Sequence, residues 1–227
     1  MTAGAVLLFC AGYFGVGFGV DPSRARELST PLDARIPFIA GSVWVYLGVF
    51  PTSFLPLFVV RCPRLFRRIL VAYGLAIATS LIVFAAYPVT SRALRVPGAA
   101  LDVTRYSDWG VFTLYRFDPP YNLFPSLHLS IATLAALSAW KASRPYGAAV
   151  LAGVVLIGGS ILTVKQHFFL DGVAGIALAV VLYAAIVRPY EPHGGTDPAY
   201  GWRGPATFAV FLAILYSGFY AGFRLLA

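Results

Sequence analysis

Three side chains in a largely apolar chain stand where they can do chemistry: His128 in "PSLH", and His167 and Asp171 in "KQHFFLD". On a helix, a carboxylate four residues beyond a histidine shares its face. It can accept one ring N–H, which sets the tautomer and leaves the other nitrogen free as nucleophile or base. A second histidine can then protonate a leaving oxygen, so that a displacement is split into two easier steps. The same three groups are ordinary zinc or iron ligands, and residue type alone leaves that alternative open. The neighbouring charge favours an anion. Lys165 lies two residues before His167, Arg92 and Arg95 open the long connection before His128, and Ser126 falls at the first turn of the helix that follows. Helix N-termini and cationic side chains both hold phosphate oxygens.

The elements that must position these residues are membrane helices. Of 227 residues, 59% are hydrophobic and 11% charged, and the mean hydropathy is +0.78. Such a composition excludes an ordinary soluble domain. Apolar runs of about 17–25 residues can cross a hydrocarbon core of about 30 Å. Seven stretches approach that length: Thr2 to Val20, Ile36 to Val60, Ile69 to Pro88, Phe124 to Trp140, Tyr146 to Val164, Phe168 to Val187 and Pro205 to Phe223. The fold expected is an all-α, polytopic transmembrane bundle of six to seven spans, a single integral-membrane domain over residues 1–227. The first stretch has no Lys or Arg before it and no small-residue cleavage site, so it reads as a retained span rather than a signal peptide. Its Gly15-x-x-x-Gly19 spacing suits close helix packing. Trp109, Trp140 and Trp202 fall near span ends, as in an interfacial belt. Cys10 and Cys62 are expected at different depths, which supports neither a disulfide nor a cysteine-based zinc site.

Orientation follows from basic clusters. Arg61, Arg64, Arg67 and Arg68 in "RCPRLFRR", and Lys141 and Arg144 after the fourth span, are expected on the cytoplasmic side. Alternation of the spans then places residues 21–35 and 89–123 outside, with His128 and His167 both near the outer surface. The formal charge of +8 is scattered through these short loops, which fits membrane topology and not nucleic acid. Ionisable groups within spans are costly and are functional candidates by default. Residues 89–123 form a long connection without obvious regular structure, and such connections are often functional. His193 reads as a solvated loop residue, and "GGTDP" after it as turn chemistry.

The two histidine motifs resemble those of the phosphatidic acid phosphatase type 2 superfamily, which includes vanadium haloperoxidases. Its three motifs are Lys-x6-Arg-Pro, Pro-Ser-Gly-His and Ser-Arg-x5-His-x3-Asp. "PSLH" matches the second at Pro125, Ser126 and His128, with Leu127 in place of glycine. "SILTVKQHFFLD" matches the third at Ser160, His167 and Asp171, with Ile161 in place of arginine. "YPVTSRALRVPG" supplies Arg92 for the first motif but neither its lysine nor the adjoining proline. With "RIPFIAGSVWVYLGVFP" and "DPPYNLFPSLH", these departures look like the inositolphosphotransferase and sphingomyelin synthase branch. The likeness covers about residues 31–188 and leaves spans 2–20 and 205–223 outside.

The resemblance implies a lipid phosphatase or phosphotransferase. In it His167 attacks phosphorus to form a phosphohistidine, Asp171 orients His167, and His128 protonates the leaving group. Ser126, Arg92 and Lys165 hold the phosphate oxygens, and no metal or other cofactor takes part. The partners implied are a phospholipid or polyprenyl phosphate and the surrounding lipids, in a cell inner membrane with the site facing outward. Whether water or an alcohol accepts the phosphoryl group stays open at this point. A membrane metalloenzyme using the same three side chains, or a non-catalytic transporter or scaffold, are the readings from other classes.

Overall fold

The fourth apolar stretch becomes the axis of the molecule, because it is apolar on every face and can be satisfied only by enclosure. In the computed structural model, which describes residues 2–191 and 202–226, this stretch is α8 of eleven α-helices among the described residues. The helices are α1 (Thr2–Gly19), α2 (Pro31–Arg35), α3 (Val43–Leu47), α4 (Val49–Ser53), α5 (Leu55–Val59), α6 (Pro63–Ala86), α7 (Tyr106–Phe117), α8 (Leu127–Ala142), α9 (Arg144–Thr163), α10 (Phe169–Leu182) and α11 (Arg203–Leu226). A π-helical turn, Tyr183–Val187, extends α10. Among the described residues there is no strand beyond two isolated bridges. His193, Asp197 and the "GGTDP" turn lie outside the described residues.

Helix α8 is ringed by α4, α5, α6, α9 and α10. Ala132, Ala135, Ala136 and Ala139 are completely buried along it, so its neighbours approach closely. Among the described residues, four helices are long and apolar enough to cross a membrane: Pro63–Ala86, Arg144–Thr163, Phe169–Val187 and Arg203–Leu226. Their outward faces carry exposed apolar side chains such as Ile82, Val155, Val181 and Ile214. That pattern is the arrangement of an integral membrane protein, whose lipid replaces water on those faces.

Several local expectations are corrected. The stretch Ile36 to Val60 is not one helix but three single turns, α3 to α5, because Pro51 and Pro56 remove backbone donors. The joints tighten to i−3 bonds, Gly48 N–H to Val45 O at 3.1 Å and Leu57 N–H to Phe54 O at 3.0 Å. The basic run is only partly loop. Pro63 takes the first helical position of α6, where its missing donor costs nothing, so Arg64, Arg67 and Arg68 sit on the helix. The long connection contains α7, whose Gly110, Val111 and Leu114 form a buried stripe at helical spacing. Gly15 and Gly19 face open space; the close approaches of α1 are at Gly12, against Leu81, and at Gly17, against Pro119 and Asn122.

One end of the bundle is closed by stitched loops. Arg26 N–H donates to Pro88 O at 2.9 Å, Thr90 N–H to Arg26 O at 2.9 Å, and Ser91 N–H to Pro120 O at 3.0 Å. Cations cap the other end of α10: Arg68 Nη1 donates to Ile186 O at 3.0 Å and Lys141 Nζ to Arg188 O at 3.0 Å. Such bonds satisfy C-terminal carbonyls and oppose the helix dipole. The two basic clusters therefore meet at one end, while the thirteen residues from His128 to Lys141 put His128 about 20 Å away along α8.

Candidate active site

Ser126 is the N-cap of α8, and its Oγ accepts Leu129 N–H at 3.4 Å. This starts the helix and leaves His128 in the first turn, where backbone donors lack intrahelical acceptors. Helix α10 is anchored to the same spot: Ser126 N–H donates to Asp171 O at 2.9 Å, and Ser130 Oγ donates to Ser126 O and Gly175 O at 2.9 and 3.0 Å. Gly175 permits the approach, because a Cβ there would overlap the Ser126 carbonyl oxygen.

The turn between α9 and α10 supplies His167. Helix α9 ends with Gln166 N–H bonded to Ile161 O at 3.0 Å and Lys165 N–H bonded to Leu162 O at 3.1 Å, the paired pattern of a Schellman motif. The left-handed position that usually holds glycine holds Lys165, at φ +58°. His167 thus precedes α10 and does not lie on it, a correction to the shared-helix-face argument. Asp171 still reaches it, because this carboxylate turns back over the helix start and takes Phe168 N–H on Oδ2 at 2.9 Å.

The two histidines, from different elements, meet. His128 Nδ1 lies 3.2 Å from His167 Nε2, with the rings edge to face, and Ser126 Oγ lies 3.5 Å from the same His167 nitrogen. On the far side of that ring, Nδ1 is 3.5 Å from Asp171 Oδ2 and makes no hydrogen bond. His167 is 2% exposed and Asp171 fully buried. Among the described residues, no three His, Cys, Asp or Glu side chains converge as a metal cage.

The cationic candidates sit outside this pair. Arg92 is exposed, its guanidinium 5.1 Å over the Tyr121 ring. Lys165 Nζ donates to the carbonyls of Asp33 and Ile36. Arg95 is tied to the wall of the site: it donates to Tyr115 O at 3.0 Å and Asp118 O at 2.9 Å. Burial pushes the Arg95 guanidinium down from its ordinary value and the Asp118 carboxylate opposes the shift.

Two buried carboxylates escaped the sequence reading. Asp33, 5% exposed, accepts Phe169 N–H on Oδ1 at 2.7 Å, so α2 pins the start of α10. Asp118, 8% exposed, accepts Tyr13 Oη–H at 2.7 Å and Tyr46 Oη–H at 3.2 Å, and also Gln166 Nε2–H. Its only signal in the sequence was its place in "DPPYNLFPSLH". Asp118 and His128 form the polar end of a cavity of about 430 Å³. The remaining wall is largely apolar and aromatic, with Phe9, Phe14, Phe50, Trp109 and Phe219 among its residues. Trp109 thus lines the cavity, where an interfacial anchor was expected. His167 does not line it.

The profile of the PAP2 superfamily matches residues 26–185. The chain belongs to that superfamily. Membership makes it a phosphatase- or phosphotransferase-type lipid enzyme. No curated protein matches the chain, and no solved structure does. Both histidines, Ser126 and Asp171 fall within the PAP2 match, whereas α1 and α11, which contribute Tyr13 and Phe219 to the cavity, flank it.

Proposed function

We propose that the protein is a membrane lipid phosphotransferase that works through a phosphohistidine on His167. The observation that carries the reading is the meeting of His128 Nδ1 and His167 Nε2 at 3.2 Å, beside a cavity that reaches only His128. A nucleophile and an acid must flank phosphorus from opposite sides in an in-line displacement. The phosphoryl group therefore enters between the two nitrogens and displaces their contact. The lipid alcohol leaves on the His128 side, where the apolar cavity accommodates its chain.

In the first step His167 Nε2 attacks phosphorus, the P–O bond to the lipid alcohol breaks, and His128 gives its proton to the departing oxygen. In the second, His128 takes the proton of an acceptor hydroxyl as that oxygen attacks phosphorus and the P–N bond breaks. Asp171 tightens onto His167 Nδ1 as positive charge develops on the ring. Ser126 lies beside the attacking nitrogen. Arg92 swings in from its exposed position, and Lys165 exchanges its carbonyl acceptors for phosphate oxygens. The likeness of "PSLH", with Leu127, to the inositolphosphotransferase and sphingomyelin synthase branch supports an alcohol acceptor over water. In this reading α1 and the α3–α5 run also cross the bilayer with α8 and the four long helices. The basic end faces the cytoplasm and the histidines face outward.

The test incubates purified wild type and His167→Ala with phosphatidic acid, with a polyprenyl diphosphate, and with phosphatidylinositol plus ceramide or diacylglycerol. The expected result is a new phospholipid from wild type alone, without free phosphate. Release of inorganic phosphate by wild type alone makes water the acceptor. Turnover that survives in His167→Ala removes the phosphohistidine.

A further inference from the structure

Asp118 is a buried carboxylate at the reacting end of the cavity, and the two-step mechanism above leaves it without a task. Three side-chain donors converge on it, Tyr13 on Oδ1 and Tyr46 and Gln166 on Oδ2. Donors on both oxygens fix the orientation of the carboxylate. Arg95, whose charge acts on Asp118, spends two guanidinium nitrogens on the main-chain carbonyls of Tyr115 and Asp118 itself. Tyr46 connects the carboxylate to the histidine. Its hydroxyl donates to Asp118, so its lone pairs are free to accept, and the oxygen stands 3.5 Å from both His128 ring nitrogens. The His128 ring is held edge-on by Tyr46 and Phe50, with centroids at 5.5 and 5.6 Å.

We infer that Asp118, acting through Tyr46, is a positioning residue for His128, fixing the orientation in which the imidazole protonates the lipid alkoxide. The inference rests on the proposed role of His128 as acid. Tyr13 belongs to it as well: this side chain of α1, outside the matched residues, locks the second carboxylate oxygen. The proton that the oriented His128 delivers is lost to the leaving oxygen in the first step and regained from the acceptor hydroxyl in the second. Asp118 itself gains and loses no proton.

A leaving group that departs without a proton distinguishes this role from a merely structural one. The matched probes are phosphatidic acid against p-nitrophenyl phosphate, and phosphatidylinositol against p-nitrophenyl inositol phosphate, using whichever pair wild type turns over. Positioned general acids contribute about 10²–10⁴-fold. Asp118→Asn is expected to slow the lipid ester by about 10²-fold or more, while first-turnover nitrophenolate release stays within about threefold of wild type. Tyr46→Phe, which keeps the ring and removes the link, is expected to show the same selectivity with a smaller loss. It carries the test if Asp118→Asn does not fold. Equal losses on both leaving groups, or no loss on either, overturn the inference. His167→Ala is the separate control: it abolishes both reactions if the nucleophile is right, and its activity on the nitrophenyl ester would refute the proposed function instead.

Discussion

Adding one methyl group at Gly175 tests whether the contact of α8 with α10 sets the histidine pair. A Cβ there overlaps the Ser126 carbonyl oxygen and comes within 3.2 Å of both the Ser126 carbonyl carbon and its Cβ. Those atoms are backbone and N-cap, so no flexible side chain can yield. Restoring ordinary contact moves the N-terminus of α8 by about 1 Å, since a packed interior has no slack. The movement strains or breaks the Ser130 bonds to Ser126 O and Gly175 O, about 1 kcal/mol each, and adds an overpacking cost of about 1–3 kcal/mol. The functional loss is larger than the stability loss. His128 rides on α8 while His167 is tied to α9 and α10, so the 3.2 Å pair separates, and a 1 Å misplacement costs about 10²-fold in rate. The assay is turnover of Gly175→Ala in detergent beside its thermal midpoint. A folded variant with wild-type turnover would refute the argument that this contact places the pair.

Lys165→Gly removes the left-handed strain of about 1–2 kcal/mol but also the ammonium bonds to Asp33 and Ile36. Lys165→Met loses the same bonds and keeps the strain. If Lys165 binds phosphate, both variants raise KM for the lipid alike; if the turn alone matters, only Lys165→Met loses activity. Asp33→Ala leaves Phe169 N–H without its acceptor at the start of α10. It is expected to cost about 1–2 kcal/mol, read as a lower melting temperature. Tyr115→Phe deletes the hydroxyl that donates to Val164 O at 2.6 Å. It should lower stability by about 1 kcal/mol, with a loss of turnover smaller than that of Gly175→Ala.

The four long helices were legible because an apolar run of bilayer length has few alternatives once water is excluded, and they occur where those runs lie. His128, His167, Asp171 and Ser126 were legible because each belongs to a short motif. The pairing of His167 with Asp171 is also local, even though a cap rather than a shared helix face makes it. Asp33, Asp118, Tyr13 and Tyr46 carry no such signal. Their bonds join residues far apart in the chain, with separations of 105 for Tyr13 and Asp118, 72 for Tyr46 and Asp118, and 136 for Asp33 and Phe169. Nothing periodic relates such positions. Which polar groups face one another depends on how α1, α2, α3 and the α7 loop pack around α8. A buried carboxylate acquires its partners from that packing, because burial away from water makes an unpaired donor or acceptor costly. The sequence by itself determined a membrane helix bundle with a histidine pair at one end; the tertiary structure alone decided what surrounds His128 and that α1 and α11 help to build its cavity.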